Sequence, residues 1–236
     1  MRASIAALAL VLAGCSAPDT QSDTADPQDA FWDALSSHCG NAYAGEIVSE
    51  DERDADWQGR EMIAHWARCD ERVIAIAFHM EDPKREDGWD RSRTWIVGRT
   101  DTFGKATTVG TAPPFVTEKH THTRGLHLSH DHRHADGEED AVTRYGGHAV
   151  KGSPQFENSA TAQDFPVDTR SKALFKEQGL DASLTNVWRL EVTAADSEDP
   201  HFVYQLTRRN DPTRLFRVRF DASTPVEPPP PAWGRK

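Results

Sequence analysis

Between Trp188 and Phe220 the chain alternates apolar and polar residues with a period of two, and this pattern constrains its fold more than any other feature. Trp188, Leu190 and Val192 interleave with Arg189, Glu191 and Thr193; Phe202, Tyr204 and Leu206 with Val203, Gln205 and Thr207; Phe216, Val218 and Phe220 with Leu215, Arg217 and Arg219. Successive side chains of a strand point to opposite faces, so each run reads as a strand with one buried face. The separators DSEDP and NDPT are turn sequences. Upstream, Ala44–Ser49, Met62–Cys69, Arg72–Met80 and Arg93–Arg99 read as four more strands, and Leu126–His134 with Ala141–Tyr145 as a hairpin around Ala-Asp-Gly-Glu-Glu-Asp. So many consecutive strands must bury one face and dispose of their edges, and closure into a barrel does both. The expected fold is all-β with short helices: an antiparallel up-and-down β-barrel-like domain of about eight or nine strands. A two-sheet β-sandwich is the alternative, since it shares the pattern. No internal repeat and no Gly-x-Trp lipocalin motif occurs.

Of the 236 residues 37% are hydrophobic, enough for one modest core, which assigns 29–223 to a single β-rich domain. Phe31, Trp32 and Leu35 share one helical face, so Asp29–Ser37 reads as an N-terminal docking helix with Asp29 as its cap. A second short helix is expected over Ser171–Gln178, ended by Gly179. From Thr224 to Lys236, with prolines at 228 to 231, the chain reads as a polyproline II tail outside the core. The 27 Lys+Arg stand against 38 Asp+Glu, a net charge of −11 without a cationic stripe, which excludes nucleic acid as a partner.

The N-terminus reads as an address. Met1-Arg2 is followed by an apolar run from Ile5 to Ala13, far short of the ~20 residues that span a bilayer, so 1–14 is expected to be a signal peptide. Leu12-Ala13-Gly14-Cys15 resembles the lipobox of bacterial lipoproteins. That resemblance implies cleavage before Cys15, lipid on Cys15, and an exported protein whose partner is a membrane reached through the lipid. Ser16 at the second position resembles lipoproteins passed on to the outer membrane, facing the periplasm or the cell surface. Residues 15–28 would be the lipidated cysteine and a flexible tether. Cys39 and Cys69 then remain in an oxidising compartment, where they are expected to pair, two buried thiols being the alternative. The chain-entropy model gives such a bridge roughly 3 to 4 kcal/mol.

Seven of the eleven histidines, His120, His122, His127, His130, His132, His134 and His148, fall within 29 residues. In a strand, His130, His132 and His134 share a face with Leu126 and Leu128, and so would line one end of the barrel if those leucines point inward. A hairpin register pairing His134 with Ala141 sets His127 opposite His148 and His130 opposite Tyr145, but a one-residue slip would reverse every face. Imidazoles suit Zn, Cu, Ni or Fe, with Asp131, Asp136 or Asp140 as an oxygen ligand or ring-orienting partner. The candidate metal ligands are therefore His130, His132, His134, His127 and His148, with a fourth donor needed from another strand. The competing reading is a solvated, pH-responsive strand edge.

No calcium loop, Gly-x-Ser-x-Gly, His-Glu-x-x-His, Cys-x-x-Cys or phosphate loop is present, and Ser129, His127 and Asp131 are too close along one strand to form a triad. Trp95 and Trp188 fall on apolar strand faces and read as core, and Gly146-Gly147 as a bend or bulge. Arg93-Thr94-Trp95, the run from Leu128 to Gly137, Tyr145-Gly146-Gly147, Phe165-Pro166-Val167-Asp168 and Thr185-Asn186-Val187-Trp188 together resemble a family of exported bacterial proteins of unassigned activity, over roughly Phe31 to Asp221. The resemblance implies one domain and carries no catalytic residue. The sequence thus leads to a lipid-anchored envelope protein with a binding or structural barrel module. The alternatives are a transition-metal protein or metal-dependent enzyme using the histidines of 120–148, and a carrier of a small apolar ligand.

Overall fold

The computed structural model describes residues 26–109 and 116–235, with side chains for all of these but 102–109 and 116–123. Ten strands form one antiparallel sheet: β1 (Ala42–Ile47), β2 (Met62–Cys69), β3 (Val73–Glu81), β4 (Trp89–Val109), β5 (Val116–His132), β6 (Tyr145–His148), β7 (Ala162–Pro166), β8 (Asn186–Val192), β9 (His201–Arg208) and β10 (Asp211–Asp221). Their order is β6-β5-β4-β3-β2-β1-β10-β9-β8-β7, so every sequence neighbour except β6 and β7 is paired, and the first strand closes on the last. The remaining gap narrows to a seam. Gly147 bridges Val167, just beyond β7, and the Asp168 amide donates to the Gly146 carbonyl at 3.0 Å. The result is the expected barrel-like sheet, nearly closed.

The seam explains Gly146-Gly147. A β-carbon on Gly146 would collide with the Leu128 carbonyl, and one on Gly147 with the Pro166 carbonyl. Two bare residues let β6 lie against both neighbours, a close approach rather than a bulge. Strand β7 was not legible in the periodicity, because AQDFP is short and ends in proline. The hairpin partner of β5 begins at Tyr145, later than the expected Ala141, since Arg144 turns the chain with φ +55°. Strands β4 and β5 also run on past the barrel as a paired ribbon through Val109 and Val116.

Inside, one continuous apolar cluster joins the alternate residues of all the long strands. Helix α1 (Pro27–Ser36) plugs one end with Phe31, Trp32 and Leu35. It starts earlier than the sequence suggests: Asp26 is the N-cap, accepting from the Gln28 amide, with Pro27 at the first position, where a missing N–H is harmless. Just after it, Cys39 is disulfide-bonded to Cys69 at the end of β2, with Cα atoms 6.0 Å apart. His38 seals the same end, its Nε2 donating to the Thr193 carbonyl at 2.7 Å and its Nδ1 accepting from the Tyr43 hydroxyl at 3.1 Å. Helix α2 (Thr169–Glu177), capped by Asp168, holds the seam through Ser171 Oγ, which accepts from the Gly146 amide at 2.8 Å.

The polyproline segment is a strap, not a loose tail. The Val226 amide donates to the Ala42 carbonyl on β1, and the Trp233 amide to the Arg91 carbonyl on β4. Residues between those points therefore cross the outer face of β2 and β3, where Ile63, Ala77 and His79 are 3%, 1% and 0% exposed. Arg235 ends the strap in an ion pair with Asp131, which is itself almost fully buried. Arg85 stacks its guanidinium over the Trp233 ring at 4.4 Å.

No helix among the described residues is long and apolar enough to cross a membrane. Cys15 and the signal segment lie outside the described residues.

Candidate functional site

The end of the barrel opposite α1 is open and holds a cavity of about 150 Å³. Its walls are inward residues of β3, β4, β5, β6, β9 and β10 together with Asp54 and Trp57 from a 3₁₀ helix, Glu52–Trp57, that leans over the mouth. Four rings form a stacked column: Trp57 on Phe78 at 6.0 Å, Phe78 on Trp95 at 4.8 Å, and Trp95 on Tyr204 at 4.4 Å with planes 10° apart. Such pairs add about 0.5–1.5 kcal/mol each beyond their area burial, so the wall is stiff as well as apolar.

The column ends in a histidine–tyrosine relay. His130 Nε2 lies 2.8 Å from the Tyr204 hydroxyl, and its Nδ1 lies 3.1 Å from the Tyr145 carbonyl. A carbonyl only accepts, so Nδ1 carries the hydrogen and Nε2 receives one from Tyr204. The His130 ring stacks on Tyr145 at 4.6 Å, and the Tyr145 hydroxyl meets His132 Nε2 at 3.1 Å. Burial pushes His130 down to about 3, and His132 down to about 4 with Arg93 adding to the effect. Burial likewise pushes Tyr145 up to about 12 and Tyr204 well above the ordinary phenol. All four groups are neutral at physiological pH. The arrangement offers fixed dipoles rather than charge.

Charge at the mouth is already paired. Arg214 Nη2 donates to Asp54 Oδ1 at 2.9 Å and Nη1 to Asp51 Oδ2 at 2.9 Å. Arg93 donates to Asp90 at 2.6 Å while lying over the Trp57 face at 5.1 Å. These pairs lock the 3₁₀ helix to β10 and brace the pocket rim.

The expected register is the one observed, with His127 opposite His148 and His130 opposite Tyr145. Leu126, Leu128, His130 and His132 all face inward, as the alternation requires. His134 does not join them: β5 ends at His132, the chain turns, and His134 is exposed with Asp140 3.8 Å away. His130 has both ring nitrogens engaged within the protein. The structure therefore does not bring the three candidate ligands His130, His132 and His134 together at one point. His127 and His148 lie on the outer face of the seam with Asp168, whose role the spacing did not suggest. The side chains of His120 and His122 lie outside the described residues. Asp131, also an expected oxygen ligand, is occupied by Arg133 at 3.1 Å and by Arg235.

Tyr145, Tyr204, Trp57 and Phe78 were not anticipated as site residues. Period two sets Tyr204 on the apolar face of its strand, but nothing local ties it to His130, 74 residues away. Compared with protein-family models, curated proteins and solved structures, the chain matches none.

Proposed function

We propose that this is an exported binding module, tethered to a membrane through lipid on Cys15, whose open barrel end takes one small, flat, largely apolar molecule. The observation that carries the reading is the cavity itself, walled by Trp57, Phe78, Trp95, Tyr204 and Phe216 and furnished with neutral His130 and His132. Its size selects the guest. A dry apolar cavity near 150 Å³ accommodates a benzene-sized molecule, whereas drug-sized ligands and long acyl chains occupy roughly 300–1,000 Å³. The aromatic column supplies stacking area, and the histidine–tyrosine relay supplies hydrogen-bond dipoles that a phenol-like hydroxyl would meet. Paired guanidinium groups leave little net attraction for a carboxylate.

The Cys39–Cys69 bridge supports export, since such bonds persist in oxidising compartments. The lipobox resemblance supports the anchor, and Ser16 at the second position supports an outer-membrane destination.

Calorimetric titration of the full chain with phenol, indole and decanoate tests the pocket. Saturable binding of the one-ring compounds at micromolar to millimolar concentration, lost in Leu206→Trp where the larger side chain fills the cavity, is expected. Equal binding in that variant, or preference for decanoate, contradicts the reading.

A further inference from the structure

On the outer face of the seam, three side chains that the pocket does not use meet from three segments. His127 on β5 stands opposite His148 on β6, with ring centroids 4.5 Å apart. Asp168 reaches the same spot from the far side of the gap, because the Gly147–Val167 bridge draws the end of β7 against β6. Its carboxylate is divided between two tasks. Oδ1 accepts from the Ser171 amide at 2.7 Å as the cap of α2, leaving Oδ2 to face His127 Nε2 at 3.4 Å. One ligand atom from each of the three residues lies within 4.8 Å of the others, the sole such group among the described residues.

Two imidazoles and one carboxylate are a donor set for zinc and its first-row neighbours. With zinc–ligand bonds of about 2.0–2.1 Å, tetrahedral ligand atoms sit about 3.4 Å apart. The His127–Asp168 edge already has that length. His148 is exposed, so its ring has room toward solvent to turn and close the other two edges. The α2 cap holds the carboxylate in place, as outer hydrogen bonds commonly do for metal ligands. Arg170 contributes a positive charge nearby that weakens the site without occupying it.

We propose that His127, His148 and Asp168 bind one divalent transition-metal ion, zinc being the first fit, and that the ion staples the barrel seam from outside with its fourth position open to water. The staple links β5, β6 and the β7–α2 turn, where a single isolated bridge between Gly147 and Val167 stands in place of a ladder. Binding to the closed barrel alone would then hold it closed by linkage.

The test uses the full chain made without a polyhistidine tag and stripped with chelator. Zinc is titrated against a competing indicator, and cobalt(II) is added to read coordination by its visible absorption. One equivalent at micromolar affinity is expected, with a cobalt spectrum and a zinc-dependent rise in melting temperature. His148→Ala should abolish all three signals, and Asp168→Asn should weaken binding at least tenfold. Asparagine also caps helices, so α2 stays intact in that variant. His134→Ala should change nothing. Binding weaker than about 100 μM, or binding that survives in the His127→Ala/His148→Ala double variant, overturns the proposal.

Discussion

The Tyr204 hydroxyl donates to Nε2 of His130 across 2.8 Å of barrel interior, joining β9 to β5 and fixing the imidazole as its Nδ1–H tautomer. Removing the hydroxyl leaves a buried acceptor without a partner. Tyr204→Phe should therefore destabilise the protein by about 1–3 kcal/mol. Long-range ¹⁵N correlation spectra should show the Nδ1–H form of His130 in the native protein. Finding the Nε2–H form instead would contradict the assigned direction of the bond.

Stability should fall as acid is added, beginning well above the carboxylate range. His79, His130 and His132 are held by burial at about 4, 3 and 4, whereas an unfolded chain protonates them near ~6.5. Between those values the unfolded state binds more protons, so the contribution of these groups is complete above about pH 6.5 and is lost as pH drops toward 4. Each histidine contributes up to about 1.4 kcal/mol per pH unit in that window. His38, His65 and His127 shift in the same direction, again chiefly by burial. Urea unfolding at pH 7.5, 5.5 and 4.5 measures this, and a flat profile would contradict it.

Gly147 is where the seam tolerates no side chain. Gly147→Ala forces the new methyl into the Pro166 carbonyl and should cost about 1–3 kcal/mol or more. Hydrogen exchange should quicken at Asp168 and at the β5–β6 amides. Gly98→Ala is the matched control, since its β-carbon would meet only the Arg72 carbonyl at an ordinary 3.8 Å.

Deleting 224–236 should strip the strap from β2 and β3 and leave the Asp131 carboxylate without Arg235. Exposure of Ile63 and Ala77 and loss of that ion pair should together lower the melting temperature by several degrees, at roughly 2–4 °C per kcal/mol for a chain of this size. His79, rehydrated, should titrate closer to 6.5 by proton NMR. An unchanged melting curve with an unchanged His79 would mean that the strap does not cover this face.

Much of the barrel was legible because period two survives wherever one face is buried and the other wet. β8, β9 and β10 carry that signature plainly, and the β5–β6 register followed from hairpin arithmetic at His127 and His148. What escaped has physical causes. Strand β7 is too short to show a period, and Pro166 argues against it locally. The strap's prolines mark extended backbone but not what it lies on, which depends on Ala42 and Arg91, far away in sequence. The site was half visible. Inward facing of His130 and His132 follows from alternation, whereas their tyrosine partners arise from strands brought together only by closure. His134 was misplaced because the end of β5 is set by the turn, not by the histidine spacing. Asp168 reads locally as a helix cap, and its second role exists only across the seam.

The central claim is that the open barrel end is a pocket for a single small ring. Phenol titration followed by ¹H–¹⁵N and ¹H–¹³C NMR locates such a guest directly. The account predicts saturable shifts at the Trp57 and Trp95 side chains and at the His130 and His132 rings, absent in Leu206→Trp. Shifts confined to the outer surface, or none at millimolar phenol, would contradict it.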